Sequence, residues 1–153
     1  GPREEAVRYS SDSGRIWNLY STAMSALNLT AKAVASARNA VAIAEREVAF
    51  GDAVAHRLDL AVYQYALASS LLDDRVQRGS PAEPVELLRK VIASLQAPQF
   101  QPLRDEIARA ESFEIYSTAR GDASSYISLL NRTHLRLARL YEGRGEGITA
   151  RAK

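Results

Sequence analysis

Cysteine is absent from the 153-residue chain. The chain therefore cannot form disulfides, use a thiolate nucleophile, or bind zinc or iron–sulfur clusters through sulfur ligands. This absence does not select a compartment, because helical proteins of the bacterial cytoplasm and of the periplasm both manage without cysteine.

The chain also has little net charge and no long apolar run. The formal net charge is only +2, so no strong overall field favours nucleic acid or anionic lipid as a partner. No signal peptide is recognisable, and no apolar run reaches the length of about 18 residues that predicts a transmembrane helix. The basic residues are 17 Arg and three Lys, a bias that in an alanine-rich chain is typical of a GC-rich bacterial source.

Alternating runs of β-branched residues are missing as well, so we expect no sheet. The pattern that is present repeats every seven residues between Ile16 and Val76. Two lines of positions carry it, namely Tyr20, Leu27, Val34, Val41, Val48, Ala55 and Val62, and Ile16, Ala23, Thr30, Ala37, Ala44, Gly51 and Leu58. Their 4-3 spacing predicts a helix with a coiled-coil seam.

Small residues occupy the second of these lines from Ala23 to Gly51, which would let a partner helix approach closely. The predicted interface seam consists of Ala23, Leu27, Thr30, Val34, Ala37, Val41 and Ala44. We expect it to pack against later helices of the chain or against another copy of it.

The segment Gly51-Asp52 leaves two alternatives for this helix. We expect one continuous helix from about residue 14 to 77, because the heptad register continues across the glycine and two residues make a meagre loop for a helical hairpin. The alternative is a hairpin, since glycine favours a helix end and aspartate a helix start.

Proline and glycine mark the later boundaries, at 78–84 and 97–102. Apolar positions at helical spacing predict three shorter helices after Pro84. The predicted fold class is all-α, an elongated helical bundle or antiparallel coiled coil with a long Ala-rich first helix and a segmented helical return.

The expected domain organisation has three parts. Residues 1–12 are predicted to be a disordered leader that begins with a protease-cleavage scar, Gly1-Pro2. Residues 13–142 are predicted to form a single helical-bundle domain. Residues 143–153, which are rich in Gly and Arg, are predicted to be a flexible tail.

Side chains suited to catalysis or metal binding form no recognisable pattern. No Glu-x-x-His or His-x-x-x-His motif includes His56 or His134, so a di-iron bundle is not predicted. Among the closely spaced carboxylates only Glu111 and Glu114 share a helix face, which a solvated surface explains. We therefore expect no enzyme activity, no cofactor and no metal.

One cationic face is predicted on the last helix, where Arg132, Arg136 and Arg139 recur at helical spacing. Such a face could contact acidic lipid, nucleic acid or an acidic protein. Ordinary solvated surface is the simpler interpretation.

The sequence favours a non-enzymatic helical interaction or assembly module of a larger bacterial protein, which binds a protein partner or itself through helix faces. One alternative is an extracytoplasmic ligand-sensing bundle of a membrane receptor, with the ligand near Tyr63, Tyr65 or Tyr126. The other is a module that docks on acidic lipid or nucleic acid through the three arginines.

Overall fold

Helices make up the regular secondary structure in the computed structural model, which describes residues 1–73, 81–109 and 121–143. The helices in these ranges are α1 (Pro2–Ala26), α2 (Thr30–Phe50), α3 (Val54–Asp73), α4 (Ala82–Leu95), a short 3-10 helix (Pro98–Phe100), α5 (Gln101–Arg109) and α6 (Gly121–Gly143). No strand occurs in the described ranges, so the predicted all-α helical-bundle fold class is confirmed.

Residue contacts divide the chain into two compact units, 1–90 and 91–153. The single domain predicted for residues 13–142 stays a prediction. The predicted tail lies outside the described residues, except for Gly143 at the end of α6, and so does the segment 110–120 of the second predicted short helix.

The leader predicted to be disordered, residues 1–12, is helical instead. Helix α1 begins with Pro2, which suits a first helical turn because its φ is preset and no amide is needed there. Ser10 and Ser11 are weak helix formers, but both donate hydrogen bonds to the carboxylate of Glu47 in α2. Tertiary contacts thus outweigh a weak local propensity that favoured disorder.

The prediction of one continuous helix from about residue 14 to 77 is wrong. Its first break lies between α1 and α2, where the sequence analysis predicted none. At the end of α1 the amide of Asn28 donates to the carbonyl of Ser25 at 3.0 Å, and that of Leu29 to the carbonyl of Met24 at 2.8 Å. These two bonds form a Schellman motif, which requires a left-handed residue. Asn28 supplies it with a φ of 59°, a conformation that asparagine tolerates better than most residues.

The second break is at Gly51, where α2 and α3 form the helical hairpin that was the alternative to one continuous helix. Residues 51–53 separate α2 from α3. The amide of Gly51 donates to the carbonyl of Glu47 at 2.9 Å and closes the last turn of α2. Asp52 forms an ion pair with Arg57 in the first turns of α3, so the short connection is fixed from both sides.

Helix α2 packs against both α1 and α3, and its most deeply buried side chains are small. Ala33, Ala37 and Ala40 are 0% exposed, and Ala44 is 1% exposed. The hydroxyl of Ser21 in α1 donates to the backbone carbonyl of Ala33 at 2.7 Å. A side chain this short reaches the backbone of another helix only where the two helices lie close together, which the alanine methyl groups permit.

Gly14 has the same role where α1 meets α3. It is buried in the middle of α1. A Cβ atom at this position would lie 3.3 Å from Cε2 of Tyr63 and 3.4 Å from Cγ2 of Ile43. The Tyr63 ring therefore fills the space that a larger side chain would need.

In the second unit, Arg104 of α5 closes the C-terminal end of α4. Its guanidinium donates at 2.7 Å to the carbonyl of Leu95, a group that a helix end leaves without a partner inside the helix. It also donates to the carbonyl of Ala97 at 3.1 Å. The hydroxyl of Tyr126 in α6 donates to the same Leu95 carbonyl at 2.5 Å. Its ring packs against Phe100 with 5.5 Å between ring centroids.

The close packing of α2 predicts that Ala37→Leu destabilises the chain. The added atoms have no space at a side chain that is 0% exposed, so we expect the free energy of unfolding to fall by about 1–3 kcal/mol. Ala35→Leu is the matched control, because Ala35 is exposed on the same helix and should change stability by less than about 0.5 kcal/mol. Thermal and urea unfolding of the two variants measure the difference, and equal melting temperatures would contradict the packing described here.

Candidate functional site

The structure separates the seven residues of the predicted interface seam. Ala37, Val41 and Ala44 are buried, Thr30 and Val34 are half-buried, and Ala23 and Leu27 are exposed. The turn at Asn28 causes this separation, because the heptad register continues in sequence while the chain passes from one helix to another. The buried members serve packing within the chain, and the exposed members lie at the end of α1.

Large apolar side chains remain exposed along the second half of α1 and the turn that follows. They are Ile16, Trp17, Leu19, Tyr20, Leu27 and Leu29. Scattered exposed apolar residues are normal on a soluble protein, whereas a contiguous group indicates a contact surface. Here six of them occur within fourteen positions, 16–29.

Three positions of α1 and the residue that caps its C-terminal end form a continuous outward stripe, which we call the α1 stripe: Ile16, Tyr20, Ala23 and Leu27. Their 4-3-4 spacing places them on one side of the helix. Ile16 and Leu27 are each 64% exposed, and Tyr20 is 44% exposed. The ring of Trp17 lies edge-on to that of Tyr20 with 6.2 Å between centroids, so the aromatic surface extends beyond the stripe.

The opposite side of α1 carries small residues. Ser11, Gly14 and Ser21 lie on it, and each contacts α2 or α3. Helix α1 therefore packs on the other helices through its small residues and presents its bulky apolar residues outward. An ordinary surface helix has the reverse arrangement.

No charged residue occurs from Ile16 to Ala31. The outward side of α1 is charged before this segment, at Asp12 and Arg15, which form an exposed ion pair at 3.7 Å. The α1 stripe is consequently both apolar and uncharged. The sequence analysis included Ala23 and Leu27 in its seam but missed Trp17, Leu19 and Leu29. The charge-free interval 16–31 could have indicated that these apolar residues share a surface.

The buried carboxylate of Glu47 joins α1, α2 and α3 in the N-terminal half of α1. Glu47 of α2 is 7% exposed. It accepts hydrogen bonds from Ser11 at 2.8 Å and Ser10 at 3.3 Å, both in α1. On its other side, Oε2 lies 3.5 Å from Nε2 of His56 in α3. The sequence analysis missed this cluster, because it assigned the two serines to a disordered leader.

The geometry of His56 shows what this cluster can do. Its Nδ1 lies 3.2 Å from the carbonyl oxygen of Gly51, and its Nε2 faces Oε2 of Glu47. The serine hydroxyls contact Glu47 and not His56, whereas activation of a serine nucleophile normally relies on a serine–histidine contact. We interpret the cluster as a polar cross-link among three helices.

An open cleft of about 200 Å³ lies beside this cross-link. Its lining residues are Ala6, Ser10, Arg46, Glu47 and Phe50. The guanidinium of Arg3 lies over the Phe50 ring at 4.5 Å from its centroid, a cation–π contact that covers one face of the ring.

The three arginines of the predicted cationic face lie on α6. Arg132 and Arg139 are exposed and Arg136 is half-buried. Nε of Arg132 donates to the carbonyl of Ser128 at 3.3 Å, and Leu135 lies beside the face with 52% exposure. Its predicted contact with anions stays a prediction.

The tyrosines considered as neighbours of a ligand are mostly enclosed. Tyr126 is 4% exposed and Tyr63 is 6% exposed, while Tyr65 is half-buried. Burial, together with the negative charges of Asp59 and Glu47, raises the pKa of Tyr63 to about 12.

Within residues 1–73, 81–109 and 121–143, no helix combines the length and apolarity needed to cross a membrane. In the same ranges, no group of three or more His, Asp or Glu side chains comes together as a metal site. Comparison with protein-family models, curated proteins and solved structures gives no match to this chain.

The cross-link at Glu47 predicts a stability cost for Glu47→Gln. The amide keeps one acceptor oxygen but loses the negative charge that faces His56 and both serines, so we expect a loss of about 1–3 kcal/mol. Glu45→Gln, an exposed position on the same helix, is the matched control. Equal urea midpoints for the two variants would show that the cluster does not hold the three helices together.

The raised pKa of Tyr63 predicts a loss of stability at alkaline pH. The phenol ionises near pH 10 in an unfolded chain but only at about 12 in the folded protein. Its contribution is therefore complete below about pH 10 and is lost as the pH rises toward 12. Unfolding free energies measured between these values should fall less steeply for Tyr63→Phe than for the unmodified chain. Tyr20→Phe, at an exposed ring, should retain the original slope, and identical slopes for all three proteins would contradict the assignment.

Proposed function

We propose that the chain is a non-enzymatic helical interaction module that binds a protein partner through the α1 stripe. The observation that carries the proposal is the inverted polarity of α1, whose bulky apolar residues lie outward while small residues face the other helices. A partner helix with an apolar face fits such a stripe, because anchors at 4-3-4 spacing are the usual contacts of helix-to-helix recognition.

The energetics support a contact of moderate strength. Ile16 and Leu27 each leave 64% of their surface exposed, and complete burial of one such side chain is worth about 1.5–3 kcal/mol. Tyr20 and Trp17 add aromatic surface of the kind that is enriched in binding hot spots. Part of this gain is offset by the entropy cost of association.

A photo-crosslinking residue in place of Tyr20 tests the proposal in cells of the natural source. We expect covalent adducts between this position and a protein. They should disappear when Leu27, elsewhere on the same stripe, is also changed to lysine, because a charge there prevents apolar contact.

The control places the crosslinker at Asn39, an exposed position on α2. Any adduct formed by the crosslinker at this position should persist when Leu27 is changed to lysine. Absence of adducts at position 20, or adducts that persist with the lysine in place, would overturn the proposed function.

A further inference from the structure

We infer that the cleft between α1 and α2 binds a small zwitterionic α-amino acid with an apolar side chain. The inference adds a ligand site to the proposed interaction module and does not depend on the α1 stripe. It follows from the side of the Glu47 carboxylate that faces the cleft, from the arginines beside it and from the apolar part of its lining.

One oxygen of the Glu47 carboxylate lies on the cleft side. Ser10 lines the cleft and donates to Oε1, whereas Ser11 and His56, which do not line it, contact Oε2. Among the described residues Oε1 receives only this bond, at 3.3 Å, although a carboxylate oxygen can accept two. Because Glu47 is 7% exposed, an ammonium group that donates to Oε1 from the cleft forms a charge-assisted bond that water screens only in part.

Two guanidinium groups lie beside the cleft. Arg46 lines it and is exposed, and Arg3 lies over the ring of Phe50, which also lines it. Neither arginine forms an ion pair with another residue of the ranges 1–73, 81–109 and 121–143. A guanidinium can hold a carboxylate through two parallel hydrogen bonds. A ligand with one charge would match only Glu47 or only the arginines, whereas a zwitterion matches both.

The rest of the lining and the size of the cleft define the ligand further. The methyl group of Ala6 and the ring of Phe50, which is 54% exposed, offer apolar contact to a side chain. The volume of about 200 Å³ is below the roughly 300–1,000 Å³ of sites for drug-sized ligands, so a molecule the size of leucine fits. Because the cleft is open, we expect a dissociation constant on the order of millimolar.

An NMR titration of the chain with three compounds that share one alkyl skeleton tests the inference. L-leucine carries both charges, isoamylamine lacks the carboxylate and isocaproate lacks the ammonium group. With L-leucine we expect saturable shifts of the amide signals of Ala6, Ser10 and Phe50. Each analogue should bind at least about tenfold more weakly, because it loses one charge-assisted contact. Signals that do not move at L-leucine concentrations about tenfold above the expected constant, or an analogue that binds as tightly as L-leucine, would refute the inference.

Substitutions locate the site while leaving Glu47 and its cross-link intact. Arg46→Gln should weaken L-leucine binding about tenfold without weakening that of isoamylamine, and Lys32→Gln, at an exposed cation on the same helix, is the control. Ala6→Leu should abolish binding because the longer side chain fills the cleft, and Ala35→Leu, exposed on α2, should not. Circular dichroism establishes that each variant keeps its helices. Undiminished binding by Arg46→Gln or by Ala6→Leu would contradict the assigned site.

Discussion

The close approach of α1 to α2 is the constraint on which the rest of the structure depends. The hydroxyl of Ser21 reaches the backbone carbonyl of Ala33 at 2.7 Å, and this contact needs small residues on both helices. Gly14 meets the same requirement where α1 touches α3. Where small residues such as Gly14 and Ser21 form these contacts, the large apolar residues Ile16 and Tyr20 lie on the outward side of α1. The contact surface proposed above is thus a direct consequence of how tightly the helices pack.

Tight packing through small residues buries little apolar area per residue, so other interactions must help to hold α1 in place. The polar cross-link around Glu47 provides one, since its carboxylate receives hydroxyl groups from α1 and faces His56 of α3. A buried carboxylate stabilises a fold only when its oxygens have partners, because its desolvation is costly. The two ends of α1 therefore differ in character, with hydrogen bonds at the Glu47 end and an uncovered apolar surface at the Leu27 end.

Part of this architecture could be predicted from the sequence. Helical content, the absence of strands from the described ranges and the amphipathic face of α4 follow from periodicity, and the face is confirmed by burial of Val85, Leu88 and Val91. The Asn28 turn could not be predicted from the heptad pattern, because the pattern continues through it. Asparagine is also a weaker indicator of a helix end than glycine. The helical state of residues 1–12 depends on contacts with Glu47 that lie far away in sequence. Recognition of the α1 stripe depended on the first of these corrections, since only the turn shows that Ala23 and Leu27 precede the break between α1 and the helix of Ala37.

The outward sides of the helices provide an internal comparison that bears on the stripe. Helix α2 exposes Lys32, Arg38, Glu45 and Arg46, an ordinary charged surface. The first half of α1 likewise carries Asp12 and Arg15 on its outer side. Only after Arg15 do charges cease, and there the exposed apolar residues begin. Low helix propensity does not explain the change, because leucine and arginine are both good helix formers. A local requirement for an uncharged apolar surface does explain it, and the proposed contact with a partner helix would create that requirement.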